Sequence, residues 1–336
     1  MFKRLSVITT LVLVVSLVAG CATPTAPAAA TPTAAGKQLK LAAIFPGTIT
    51  DADYNTLGYN GIKAVEKSQG IKIAYSENVA VPDVERVMRE YLNDGYNIIF
   101  THGSQFISQT QTLATQFKDA YFIAETDGPV ANAPANLWII DRNFHLGFYA
   151  VGALAARQTQ TKKIGYIGGL TLPFAWSELH AMNQAIKDSG QNVKLTQVFT
   201  GNFNDPAKAR ELAEAMIADG VDVIAGSLNL GMLGIFEAVK GKKVTVIAKY
   251  TDKSSFAPDN YITSLLYDFE KPLNEIVSGI KSGKSGGYYP LGFSTGVKLQ
   301  TPLKLVTPEL AKATEQVMAD VESGKIKVVK NTDAIK

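Results

Sequence analysis

The chain has 336 residues, of which 46% are hydrophobic and 19% charged, with a formal net charge of +3. That length exceeds what one core usually organises, so two lobes are expected. No nucleic-acid or anionic-membrane preference follows from so small an imbalance, and a single cysteine excludes an internal disulfide and any multi-cysteine metal site.

Lys3 and Arg4 precede the apolar run "LSVITTLVLVVSLVAG", and "LVAGC" places small residues directly before Cys21. This resembles the lipobox of a bacterial lipoprotein signal, in which residues 1–20 are removed and Cys21 carries the lipid. The Ala, Pro and Thr tract over 21–37 has no apolar periodicity and reads as a spacer that holds the folded part off a membrane surface.

From Leu39 the chain alternates β-rich and helical segments. "LKLAAIFP", "IKIAYSEN", "YNIIFTHG", "AYFIAETD" and "NLWIIDR" read as strands, with amphipathic stretches such as "YNGIKAVEKS" and "VERVMREYLNDG" between the earlier ones. The alternation resumes with "KKIGYIGG", "ELHAMNQAIKDSG", "VKLTQVFTG", "DPAKARELAEAMIADG", "VDVIAGSLN", "LGIFEAVKG" and "KVTVIAKY". The expected fold class is α/β: two doubly wound parallel-sheet lobes joined by a hinge. Lobe 1 covers 38–145 and lobe 2 covers 146–262. Residues 263–336, beginning with "YITSLLYDF", are expected to return the chain to lobe 1 and to end in a helix.

Open parallel sheets bind ligands beyond the carboxyl ends of their strands. That rule collects Asp53, Tyr54 and Asn55 after the first strand and Ser104 and Gln105 after the third. From the second lobe it adds Trp176, Phe203, Tyr250 and Asp252, and from the crossover strand Tyr267. The rings suit a flat ligand and the amides and carboxylates could read its edge.

Catalytic patterns are weak. His102, His145 and His180 are scattered, without zinc-helix spacing. "GKSGG" at 283–287 follows a helix where a nucleophile elbow needs a strand, and Ser278 stands where a P-loop needs glycine. No dinucleotide fingerprint follows the first strand, so no enzyme, cofactor or metal is expected.

"SENV", "GNFNDPAKARELA" and "TDKSSFAPDNYITSLL", taken with the lipoprotein start, resemble the basic membrane protein family over about Leu39 to Leu299. The resemblance implies a type I-like periplasmic binding fold and a substrate-binding lipoprotein of an ABC importer, lipid-anchored outside the cytoplasm, with a permease as partner. It also implies a purine-type ligand, and a lone binding protein is commonly a monomer. Tyr54 in "DADYN" and Phe203 are then the aromatics that sandwich a base, with Ser104 or Gln105 in place of a base-edge carboxylate.

Two departures matter. Tyr250 stands where nucleoside-binding relatives tend to carry the first Asp of D-x-D, leaving Asp252 alone, and Tyr267 stands where they often carry a lysine. Phenols make weaker bonds to a sugar diol than a carboxylate does, so a free base such as adenine is expected ahead of a nucleoside. A membrane-tethered sensor of the same fold, or a nucleoside-acting surface enzyme, are the alternative readings.

Overall fold

The computed structural model describes residues 38–335. The expected leader, Cys21 and the expected spacer up to 37 lie outside the described residues. The first lobe begins β1 (Lys40–Ile44), α1 (Tyr54–Gln69), β2 (Lys72–Ser76), α2 (Val84–Asn93) and β3 (Ile98–Thr101). It continues through α3 (Ile107–Gln116), β4 (Tyr121–Thr126) and β5 (Leu137–Arg142). The second runs through α4 (Phe144–Gln158), β6 (Lys163–Gly168), α5 (Pro173–Asp188), β7 (Lys194–Phe199), α6 (Pro206–Ala218), β8 (Val223–Ser227), α7 (Met232–Val239) and β9 (Thr245–Tyr250). Then come β10 (Tyr261–Tyr267), α8 (Glu270–Lys281), β11 (Gly287–Leu291), β12 (Val297–Leu299) and α9 (Pro308–Glu322).

The strands form two six-stranded sheets, ordered β11-β5-β4-β3-β1-β2 and β12-β10-β9-β8-β6-β7. Every ladder is parallel except that of β10 with β12. Strands such as β3, β5 and β8 are buried along their whole length, as helices on both faces of a parallel sheet require. In both sheets the strand order reverses beside the first strand of the lobe, between β1 and β3 and between β6 and β8. These are the switch points at which an open sheet leaves a crevice.

Local chemistry sets the helix ends. Asp205 accepts a hydrogen bond from the Lys208 N–H at 3.0 Å, and Pro206 follows it, so α6 begins there. Gly70, at φ 66°, ends α1 in the left-handed conformation. One helix escapes the sequence reading. In α4 nearly every residue from Phe144 to Ala156 is buried, so it has no polar face to give it a period.

The return to lobe 1 differs from expectation. β10 is buried along almost all of its length and pairs in parallel with β9, with Leu266 opposite Tyr250. It therefore belongs to the second sheet, because a strand buried on both faces needs an interior position. The return is made by α8, which packs on α1, and by β11, which pairs with β5. β12 then crosses back to cover the edge of β10, and α9 packs on α4. Both sheets lie within one contact-rich unit, Leu39–Lys336.

Candidate functional site

The loops beyond the carboxyl ends of the two sheets enclose a cavity of about 240 Å³. Pro46, Gly47, Tyr54, Asn55, Gln105 and Arg142 line it from the first lobe. Leu170, Leu172, Phe174, Asn202, Phe203, Asn204, Asn229 and Tyr250 line it from the second.

Its walls are aromatic. Phe174 and Phe203 lie nearly parallel, 6.1 Å between ring centroids at 23°. The Phe203 ring lies directly against Gly169, where a Cβ would strike it. Tyr54 stacks on His102 at 3.9 Å and 22°. Tyr250, the last residue of β9, sits at φ 75°, and the Thr251 N–H bonds the Lys249 carbonyl across it at 3.1 Å. That is a three-residue turn in its strained, left-handed form, a conformation that a bulky residue keeps only when its surroundings enforce it. Here the enforcement comes from burial of the ring against Tyr54, Phe144 and Tyr267.

Beneath the rings, charges are paired with one another. Arg142 donates to Asp127 through Nε at 3.0 Å and Nη2 at 2.7 Å, to Ser104 Oγ at 2.6 Å and to Tyr54 Oη at 2.9 Å. Its guanidinium also lies 4.9 Å from the Phe174 ring centre. The Tyr54 hydroxyl in turn donates to Glu125, and Glu125 Oε1 lies 2.5 Å from His102 Nδ1. His102 Nε2 faces the Tyr54 carbonyl at 2.7 Å, an acceptor only, so that nitrogen is the donor of the bond.

A second buried cluster supports the opposite wall. Lys249 Nζ bonds Glu178 at 2.6 Å and lies 4.0, 4.5 and 4.7 Å from the ring centres of Phe144, Tyr250 and Phe174. Glu178 also accepts from the Tyr166 hydroxyl at 2.7 Å. Burial pulls the Lys249 ammonium down to about 8, against the opposing pull of Glu178, and pushes the Tyr250 phenol well above its usual range, with Glu178 adding to it. With these charges satisfied internally, the cavity is left with ring faces, aliphatic side chains and the amides of Asn55, Gln105, Asn202, Asn204 and Asn229. Such a lining favours a neutral, flat ligand with hydrogen-bonding edges, since a charged one would find no free counter-charge to offset its desolvation.

Of the residues nominated from sequence, Tyr54, Asn55, Gln105, Phe203 and Tyr250 line the cavity. The others lie outside it. Asp53 pairs with Lys253 of the second lobe, and Ser104 stands behind the wall, donating to Asp127 at 2.7 Å. Trp176 packs edge-on against Phe199 at 5.2 Å, because on α5 it is Phe174, two residues earlier, that faces the cleft. Asp252 is exposed and accepts from the Ser254 N–H of its own loop at 2.8 Å. Tyr267 is buried edge-on to Phe144 at 4.6 Å, and its hydroxyl has no hydrogen-bond partner among the described residues.

Sequence reasoning missed Arg142, Phe174 and Asn229. Arg142 had a signal: it is the lone basic residue at the carboxyl end of the buried run "LWIID", where the sheet rule places ligand-facing groups. The remaining two histidines stand apart, His145 buried near Lys330 and His180 against the Asp333 carbonyl at 2.9 Å. Among the described residues no group of three or more His, Cys, Asp or Glu could hold a metal ion.

Two doubly wound lobes facing each other across a small cavity are the arrangement in which a two-lobed binding protein holds a small solute. The family model described as "ABC transporter substrate-binding protein PnrA-like" matches residues 38–332, and the chain belongs to that family. It is 27% identical to basic membrane protein A2 of Borrelia garinii subsp. bavariensis over 306 residues, 88% of this chain and 89% of that one. It is 22% identical to a purine-binding protein of Brucella abortus over 297 residues, 87% of this chain and 83% of that one. In fold it is similar to a crystal structure of an ABC transporter solute-binding protein from Aeropyrum pernix K1, with a TM-score of 0.76 and 19% identity, covering 88% of this chain and 94% of that one. The family implies a small ligand and an ABC permease as partner. No helix among the described residues is long and apolar enough to cross a membrane.

Proposed function

We propose that this protein captures a purine-type ligand for an ABC importer by closing two lobes around it, with a free nucleobase such as adenine preferred to a nucleoside. The observation that carries this reading is the lining of the cavity: the rings of Tyr54, Phe174, Phe203 and Tyr250 around a space edged by amides, with the nearby charges paired among themselves. Aromatic faces stack on a base, and amides both donate and accept, as the edge of a purine requires. The Brucella relative described as purine-binding supports the same class. The wall formed by Tyr250, in place of a carboxylate, favours the base over its riboside.

Binding acts through closure. A ligand shifts the open–closed equilibrium only by contacts it gains in the closed form, and here those come from second-lobe residues such as Phe203. The protein is further read as a monomer tethered through lipid on Cys21, with residues 1–20 as leader and 21–37 as spacer. Incorporation of labelled palmitate that disappears in Cys21→Ser checks the tether.

The deciding experiment is a thermal-shift and calorimetric panel on the purified protein with adenine, guanine, hypoxanthine, their nucleosides, ribose and thiamine. A ligand at 100 times its Kd adds about 2.7 kcal/mol of stability. A shift with bases and none with nucleosides is the expected result. Tighter binding of adenosine than of adenine overturns the base preference, and a shift with none of the purines overturns the ligand class.

A further inference from the structure

The β1–α1 loop of the first lobe reaches into the second chiefly through residues that do not line the cavity. Asp53, buried, is paired with the ammonium of Lys253, also buried. Lys253 Nζ donates in addition to the Lys249 carbonyl at 3.0 Å and to Thr251 Oγ1 at 2.8 Å. Thr251 Oγ1 in turn reaches the Ala52 carbonyl at 3.0 Å.

The loop that offers Asp53 is shaped within its own lobe. The Asp51 carboxylate accepts the N–H groups of Asp53, Asn55 and Thr56 at 2.9, 3.1 and 3.0 Å. The same carboxylate takes the side-chain amide of Asn229, from the second lobe, at 3.0 Å. Two acids two positions apart on a preformed loop thus meet an amide and an ammonium on the facing lobe.

We propose that Asp53 and Lys253 are a clasp that sets the register in which the two lobes close, acting on ligand binding as positioning residues through the closing equilibrium and not by touching the ligand. Burying an ion pair gains little in total, because desolvation offsets the attraction. Burying either charge alone is heavily penalised. The pair therefore allows closure only in the register that brings ammonium and carboxylate together. Burial pushes the Asp53 carboxyl up to about 7 even with the Lys253 ammonium beside it, the mark of a group drawn well out of water.

The test needs no ligand and so stands apart from the purine reading. The radius of gyration of the ligand-free protein is measured by small-angle X-ray scattering for the wild type, Lys253→Met, Asp53→Asn, and the swapped pair Asp53→Lys with Lys253→Asp. Leaving one charge unpaired should shift the closing constant by about 100-fold, enough to turn a mostly closed population into a mostly open one. Both single variants are expected to expand, and the swap to return toward the wild-type value. Hydrogen exchange at the Asp53, Asn55 and Thr56 amides separates the clasp from mere loop structure, because Asp51 should keep them protected in Lys253→Met. If that variant does not fold, Lys253→Gln carries the same comparison. Single variants with the wild-type radius, a swap no more compact than the singles, or loss of protection at those amides would each overturn the proposal.

Discussion

Arg142 and Asp127 are joined by guanidinium–carboxylate contacts of 2.7 to 3.0 Å directly under the cavity, with both side chains almost fully buried. Arg142 closes one sheet's strand end and Asp127 follows its neighbour's, so the pair ties β5 to β4 where the ligand would sit. Removing one partner of such a pair costs about 3–5 kcal/mol. Arg142→Met is expected to lower the stability read from urea unfolding by that amount. Arg142→Lys should recover little, since an ammonium cannot hold Asp127, Ser104 and Tyr54 at once; wild-type stability in Arg142→Met would show that the pair is dispensable.

The two phenylalanines of the second lobe should separate binding from folding. Phe203 is half-buried on a loop, and Phe203→Ala is expected to weaken adenine binding by about 1–3 kcal/mol, the worth of a base stacked on an aromatic ring, with little change in unfolding. Phe174 is buried at the start of α5 and touches both Arg142 and Lys249. Phe174→Ala should cost about 3–5 kcal/mol of stability as well. Isothermal titration beside denaturant melts reads both quantities, and equal melts for the two variants would contradict the assignment.

Helices α6 and α7 approach closely at Gly234, where a Cβ would overlap the Pro206 carbonyl oxygen and crowd the Arg210 nitrogen. Backbone atoms in a helix cannot swing aside as a side chain can. Gly234→Ala is therefore expected to destabilise by about 1–3 kcal/mol despite the better helix propensity of alanine. A melting temperature at or above that of the wild type would refute the contact.

Acid should act through His145. Burial, with Lys330 adding to it, lowers this imidazole to about 3 from its usual 6.5. The unfolded chain takes up the proton first as pH falls, so the contribution of a neutral His145 is intact above about 6.5 and is lost progressively toward 3. Lys330, the cation facing it, is itself paired with Asp141. The Asp53 carboxyl, raised to about 7, acts in the opposite direction over part of the same window. The expected result is therefore a difference between proteins: from pH 7.5 to 4 the urea midpoint should lose less, or gain more, in His145→Gln than in the wild type. An unchanged slope in the variant would place the acid sensitivity elsewhere.

Much of the fold was legible because parallel sheets write themselves into the chain as short apolar runs ended by turn residues, and amphipathic helices as a period of 3.6. α4 was not, because a helix buried all round has no such period. β10 was placed in the wrong lobe for a related reason. A run of apolar residues reports burial, whereas sheet membership depends on which edge is free when the strand arrives.

The residues of the candidate site divide along the same line. The carboxyl-end rule needs only strand ends, and it drew Tyr54, Asn55, Gln105, Phe203 and Tyr250 to one cavity. It could not say which side chains turn inward, and so Trp176 was named in place of Phe174 and Asp53 was read as a ligand contact. The succession of strands and amphipathic helices along the chain, and the loops that end the strands, are local properties, and the amino-acid sequence alone determined them. The pairing of Arg142 with Asp127, of Lys249 with Glu178 and of Asp53 with Lys253 joins residues from 15 to 200 positions apart. Only the tertiary structure decided those partners, because a buried charge is matched by whatever the packing of separate elements brings within reach, and no spacing along the chain records that.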